Sequence, residues 1–331
     1  MISLQLIGVF RIISMSPLTI HLPERVFEEQ LSGLVAALGA GDPHEAVEID
    51  VSKVKFLTPA AIVAVLARCH WWARNGKAIS LRGVAECEAL GYLQRVDFLR
   101  HLGIELEERF TRRATTDRFV PVRSLNFAGG SVDEVASELT RCVLPDAHPE
   151  DDVFRALQYA AGELLSNAKY HSGGRAFASA QFFPARNLVR IAVADDGMGI
   201  RRSFINTSRE ADAANADTAI RLALTPGVSS ALLRPISQPY GGQNHRGVGL
   251  SIARILAKEA RGRLTIVTED GWFDELNGRE ISRTGAPNQV PGTLVALSLY
   301  RDQIADYAAM HAAAMAEIGM TDLDTQGMFL D

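Results

Sequence analysis

The sequence predicts an α/β protein built from two domains, each with a sheet of its own. Strand-like and helix-like segments alternate regularly over residues 18–103, which is the pattern of a compact α/β domain. Residues 131–300 hold a second set of helices and strands in a different order. The length of 331 residues also corresponds to about two domains.

The first half reads as three strand–helix units. Apolar residues recur at helical spacing in the helical segments, and Pro59 suits the first turn of the second helix. Gly39 and Gly41 are expected to end the first helix. The predicted strands are 18–22, 46–51 and 78–81, and the predicted helices are 24–38, 59–74 and 86–95.

A charged segment, 105–130, is predicted to link the domains, so the domains are expected at 15–104 and 131–301, followed by a tail at 302–331 with a short Ala-rich helix. In the second half, Ser131 is a suitable helix cap, and 200–246 shows no regular pattern. The predicted helices are 131–142, 151–171 and 247–260, and the predicted strands are 176–183, 188–194, 264–267 and 293–299. This order predicts a mixed, largely antiparallel sheet with one helical layer.

Composition excludes several functional classes. Hydrophobic residues make up 47% of the chain and charged residues 22%, with a formal net charge of −5 and no long basic run. Nucleic-acid binding is therefore not expected. The three cysteines are widely spaced, which predicts neither zinc nor disulfides and fits a reducing compartment. No membrane span or signal peptide is predicted, so we expect a cytoplasmic protein.

The first motif that carries chemistry lies in the long helix of the second half. Glu163, Asn167 and His171 recur every four residues and are expected on one helix face. An amide oxygen suits Mg²⁺, which prefers oxygen ligands, and a carboxylate can orient or deprotonate a nucleophile. A solvated polar stripe has the same spacing, so this motif alone decides nothing.

Two glycine-containing motifs follow. Asp195-Asp196-Gly197-Met198-Gly199 comes directly after a strand, where a carboxylate can accept a hydrogen bond from a ligand amine and glycines allow close approach. Residues 241–249 are glycine-rich and open a helix, whose N–H groups and dipole favour an anion. The loop is neither a P-loop nor a dinucleotide-binding turn. A plain acidic turn and a flexible loop with a helix cap remain the alternatives.

In order and spacing, these motifs and the late Gly292-Thr293 resemble the Bergerat-fold ATPases, which include DNA gyrase subunits and histidine kinases. The resemblance covers residues 130–300 and implies binding of ATP and Mg²⁺. It implies that Asn167 coordinates Mg²⁺, that Asp195 binds the adenine amine, and that Glu163 is the general base. The remaining positions that it implies for nucleotide binding are Gly197 and Gly199 at the base, Arg246, Gly247, Val248, Gly249 and Leu250 at the phosphates, and Thr293 near Asp195.

Residues 46–103 resemble STAS domains of anti-sigma-factor antagonists. In that family a serine at the start of the helix after the second strand is phosphorylated, but Pro59 occupies this position here. The resemblance therefore implies a docking or regulatory module that has lost its usual phosphorylation switch. Thr58 is adjacent, and helix capping is the favoured interpretation of its hydroxyl.

Three functions follow from these resemblances. The first is a regulatory ATPase that couples its nucleotide state to a protein partner through the STAS-like domain, with residues 200–246 as a lid. The second is a protein Ser/Thr kinase of the anti-sigma type that acts on a separate STAS protein, and the third is a non-catalytic ATP sensor. Histidine-kinase autophosphorylation is not expected, because neither His70 nor His148 has the setting of an acceptor. The tail helix is expected to pack on its own domain or on a second copy of the chain, so a homodimer is one of the alternatives.

Overall fold

The structure is a computed structural model, and it describes residues 2–3, 17–39, 46–112, 118–126, 131–171, 173–228, 249–281 and 290–304. The strands are β1 (Ile2–Ser3), β2 (Leu18–His21), β3 (Arg25–Val26), β4 (Ala46–Asp50), β5 (Phe56–Leu57), β6 (Ala78–Arg82), β7 (Phe119–Leu125), β8 (Ala176–Phe183), β9 (Leu188–Asp195), β10 (Arg263–Glu269), β11 (Gly271–Leu276), β12 (Arg279–Glu280) and β13 (Val290–Tyr300). The helices are α1 (Leu31–Gly39), α2 (Pro59–Arg74), α3 (Leu90–Arg95), α4 (Phe98–His101), α5 (Val132–Val143), α6 (Asp152–Ser166), α7 (Ile200–Ser203), α8 (Ala216–Ala223) and α9 (Gly249–Glu259).

The first sheet has the strand order β1-β6-β4-β2. Strands β2, β4 and β6 are parallel, and the register places Ile49 between Ile20 and Leu81. Helices α1 and α2 make the crossovers that parallel neighbours require. The helix predicted from residue 24 begins only at Leu31, because Arg25–Val26 pairs with β5 and a 3₁₀ turn follows. The helix predicted from residue 86 likewise begins later, at Leu90.

The second sheet has seven strands in the order β12-β11-β10-β13-β9-β8-β7, and each described pair is antiparallel. The molecule is therefore a mixed α/β protein with a large antiparallel sheet. Its edge strand β7 lies inside the segment predicted as a linker, 105–130. Ser131 caps α5 as predicted, because its Oγ accepts the N–H of Glu134 at 3.2 Å.

Both faces of the large sheet are covered. Helices α5, α6 and α9 form the one helical layer predicted for the second half, and α1 and α2 of the first half cover the opposite face, which was not predicted. Successive side chains of a strand point to opposite faces, and in β9 Val189, Ile191 and Val193 pack with α5, α6 and α9. Ala192 and Ala194 join the core that contains α1 and α2. Every residue of β9 is buried, and its nearly unbroken apolar run is typical of a strand buried on both sides.

Polar contacts also join the N-terminal layer to the sheet. Arg190 of β9 and Glu28 form a buried ion pair at 2.6 Å. At the same end of the sheet, the hydroxyl of Tyr92 donates to Gln181 of β8 at 2.8 Å. Across the described residues, the two predicted domains thus share one continuous hydrophobic core.

Residues 200–228 are more ordered than the sequence pattern indicated. Helices α7 and α8 lie here, and α8 packs on β10 and β11. Asp217 accepts the backbone N–H of Trp272 at 3.1 Å, and Arg221 pairs with Glu280. The rest of the stretch predicted as a lid, 229–246, lies outside the described residues, as do 305–331. No helix in the described part of the chain is both long and apolar enough to cross a bilayer.

Candidate functional site

Helix α6 presents the first two candidate residues. Glu163 is buried and Asn167 is half-buried, while Leu164 and Leu165 anchor the helix in the core. At Asn167 the helix widens into a π-helical turn that runs to His171. A π turn contains an extra residue and is often found at functional sites. The regular α-helical spacing on which the predicted stripe depends therefore ends at Asn167.

The N-terminus of α9 lies directly against this part of α6. A Cβ atom on Gly249 would lie 2.6 Å from the Cβ of Glu163 and 3.4 Å from Nδ2 of Asn167. Only glycine fits here without movement of α6. Two motifs separated by more than 80 residues thus meet, and a helix N-terminus, which favours anions, lies beside the side chains of Glu163 and Asn167.

Besides Gly249, only Leu250 of the predicted phosphate-binding residues lies within the described part of the chain. Leu250 is half-buried and packs on the core shared with α6. Arg246, Gly247 and Val248 lie outside the described residues, so their predicted phosphate contacts rest on sequence alone.

Asp195 ends strand β9 and is buried. Its Oδ1 accepts the backbone N–H of Gly197 at 2.9 Å. Burial raises the pKa of this carboxyl to about 8, and the charge of Asp196 adds to the effect, against the hydrogen bonds from the backbone of Gly197 and Thr293. A buried carboxyl with a strongly shifted pKa is a candidate for ligand recognition.

Thr293 and Gly199 complete the surroundings of Asp195. Leu294 pairs with Ala194, which places Thr293 beside Asp195 on the next strand. Gly199 has a positive φ of 82° and precedes α7. Thr268 joins the two sides, because its Oγ1 accepts the N–H of Ile200 at 3.0 Å and donates to the carbonyl of Gly292 at 2.9 Å.

The predicted site residues that the structure describes form two groups. Glu163, Asn167 and Gly249 form one group, and Asp195 forms the other with Gly197, Gly199 and Thr293. Asp195 lies two residues after Val193 and so on the same face of β9, the face that packs with α6, and the π turn after α6 contacts β9. Asp195 and Thr293 also line a small cavity with residues of α1 and α2.

Sequence reasoning missed two buried acids next to this site. Asp196 is fully buried and is hydrogen-bonded to α2. Glu269 follows a β-bulge, has a φ of +51° and packs on Gly199, and its Oε2 has no hydrogen-bond partner. Burial raises the pKa of Glu269. The adjacent acids in Asp195-Asp196 were a signal for the first residue, whereas nothing distinguished Glu269 from an exposed turn acid.

Metal binding by a cluster of protein ligands is not supported. No group of three or more His, Cys, Asp or Glu side chains converges within the described ranges. The predicted Mg²⁺ site needs only Asn167 from the protein, because Mg²⁺ keeps several waters and binds substrate phosphates.

Comparison with known proteins adds no family. A scan against models of known protein families gave no match, and a search of curated proteins gave none either.

Proposed function

We propose that this chain binds ATP with Mg²⁺ between α6, the N-terminus of α9 and the Asp195 turn, as a Bergerat-type domain over residues 131–301. The contact of Gly249 with Glu163 and Asn167 is the observation that carries the proposal. It joins an anion-binding helix N-terminus, an oxygen ligand and a potential base.

Each side chain has a defined part in this proposal. The carboxyl of Asp195 accepts the exocyclic amine of adenine, beside Thr293. The amide oxygen of Asn167 holds Mg²⁺, which neutralises phosphate charge when bound. The N–H groups at the start of α9 face the phosphates, together with the loop that contains Gly247.

In this proposal, Glu163 acts on a nucleophile at the phosphate end of the site. Its Cβ lies against the helix N-terminus that would hold the phosphates, and its carboxylate would accept a proton from an attacking water. Removal of a general base typically costs about 100-fold to 10,000-fold in rate. ATP hydrolysis is therefore the activity that we propose.

The N-terminal layer is a STAS-like module in this proposal, and it couples the nucleotide state to a protein partner. Its own Thr58 is not the acceptor of a phosphoryl group. Thr58 occupies the N-cap position of α2, but its side chain makes no capping hydrogen bond and is fully buried. His70, which contacts the Asp195–Asp196 turn, lies about 18 Å further along the helix at 1.5 Å per residue.

Calorimetry with ATP and with ADP, each with and without Mg²⁺, tests the binding proposal. We expect saturable binding of both nucleotides, with Mg²⁺ tightening ATP binding. Absence of binding to ATP under all conditions would contradict the proposal.

Phosphate release tests the role of Glu163. We expect Glu163→Gln to bind ATP normally and to hydrolyse it at least about 100-fold more slowly. Glu259→Gln, the same change at an exposed position of α9, is the matched control and should keep full activity. Equal hydrolysis by both variants would rule out Glu163 as the base. Transfer of labelled phosphate from ATP to a separate STAS protein, without phosphate release, would instead identify a kinase.

A further inference from the structure

The two acids of the Asp195–Asp196 turn point to opposite faces of the large sheet. Asp195 belongs to the face covered by α6, whereas the Oδ2 of Asp196 lies 2.6 Å from Nδ1 of His70 on α2. Because a carboxylate only accepts, the ring nitrogen of His70 donates. Adjacent residues of one strand end thus contact the candidate nucleotide site and the N-terminal layer.

Asp196 is held by several donors at once. The guanidinium of Arg74 donates to its backbone carbonyl at 2.8 Å, and the Nε of Arg74 lies 3.7 Å from its Oδ2. The backbone N–H of Arg175 donates to its Oδ1 at 2.6 Å. Asp196 has no exposed surface, so loss of a donor leaves a buried charge short of partners, which is costly.

The turn is also fixed from the opposite side. Gly292 has a φ of +75°, and a Cβ atom there would overlap the carbonyl oxygen of Asp195. With β13 on one side and α2 on the other, the backbone between Asp195 and Gly197 has little freedom. The direction of the Asp195 carboxyl therefore depends on the contacts of Asp196.

We propose that His70 and Arg74 are positioning residues for nucleotide binding, acting through Asp196 on the base-binding carboxyl of Asp195. This inference rests on the proposed ATP site. The contact of α2 with the sheet is then coupled to nucleotide binding. Helix α2 orients the Asp195–Asp196 turn, and a bound nucleotide that restrains this turn strengthens the contact with α2 in return.

A contact elsewhere in the same interface supplies the control. Tyr92 donates to Gln181, which pairs with Arg190 on β9. Arg190 is five residues from Asp195, about 17 Å along the strand. Tyr92→Phe thus removes a hydrogen bond between the same layers without touching the turn.

Calorimetry on the full chain with Mg²⁺·ATP, ADP and adenosine tests the inference. His70→Ala and Arg74→Ala should each weaken binding by about 10-fold for all three ligands, because the defect lies at the base. His70→Asn, whose amide can replace Nδ1, should recover most of the affinity, and Tyr92→Phe should bind as the unmodified chain does. If His70 has only a structural role, His70→Asn and His70→Ala should bind with the same affinity once both variants are shown to be equally folded.

Each outcome decides one question. If the unmodified chain binds no ATP, the proposed function fails. If it binds ATP and both alanine variants bind as tightly as Tyr92→Phe, the positioning role is overturned and the ATP site stands. Should an alanine variant not fold, hydrogen exchange on the unmodified chain decides: ATP should slow exchange in residues 68–74, and unchanged exchange there overturns the inference.

Discussion

At the scale of single residues, Gly249 packs closely against α6 in the candidate site. We expect Gly249→Ala to push α9 away from Glu163 and to weaken ATP binding by at least about 10-fold, since the added Cβ lies 2.6 Å from the Cβ of Glu163. Gly162→Ala is the matched control, because its Cβ would meet nothing within 4 Å. It should leave binding intact and stabilise the helix by about 0.5–1 kcal/mol. Calorimetry and thermal melts measure both, and equal affinities would contradict the packing argument.

Asp195 makes a separate prediction about pH. Its pKa rises from 3.8 to about 8 on folding, so the folded state keeps a proton that the unfolded state has lost. The free energy of unfolding therefore falls as pH rises from about 4 toward 8. Asn does not titrate, so the Asp195→Asn variant lacks this fall in the free energy of unfolding. The variant should therefore become more stable relative to the unmodified chain between pH 5 and pH 8. Urea denaturation of the ligand-free proteins at both pH values measures the difference, and parallel curves would contradict it.

At the scale of elements, the buried ion pair between Glu28 and β9 links the N-terminal layer to the sheet. Arg190→Met alone leaves the carboxylate of Glu28 buried without its main partner and should cost about 3–5 kcal/mol. The double variant Glu28→Leu/Arg190→Met should recover most of this loss, because buried pairs are often replaceable by apolar residues. A denaturation double-mutant cycle measures the coupling. Additive losses would show that the two residues do not depend on each other.

Most long elements could be predicted from local patterns. Pro59 marks the start of α2, Ser131 caps α5, and apolar runs marked β8, β9 and β13. Strand β11 was missed because Asp274 and Glu275 occupy its middle. Both acids are buried and paired with arginines of other elements, Asp274 with Arg263 at 2.6 Å and Glu275 with Arg254 at 2.6 Å. Such partners cannot be identified from the local sequence.

In the candidate site too, local patterns predicted some residues and missed others. The spacing in α6 and the glycines after β9 predicted residues that the structure places on one side of the sheet. The role of Asp196 could not be predicted, because its partner His70 is 126 residues away. Periodicity gave no sign of the π turn that follows α6.

At the scale of the whole molecule, the shared core makes the two layers a single cooperative unit. We expect one unfolding transition, seen equally from either layer. Trp72 is buried in α2 and Trp272 lies in β11. Variants that lack Trp71 and one of these two residues keep a single tryptophan, and the two variants should show the same melting midpoint by fluorescence. Two separate midpoints would show that the layers unfold independently.

Strand β9 has consequences for how this sequence can diverge. One backbone serves two packed surfaces, so a change at Ala194 is constrained by α2 on its own side and by Asp195 next to it. Ala64 and Ala67 line a small cavity with Ala194, and a bulkier side chain at any of the three has to be matched by a smaller one opposite. Substitutions along this strand should therefore accumulate slowly and in compensating pairs.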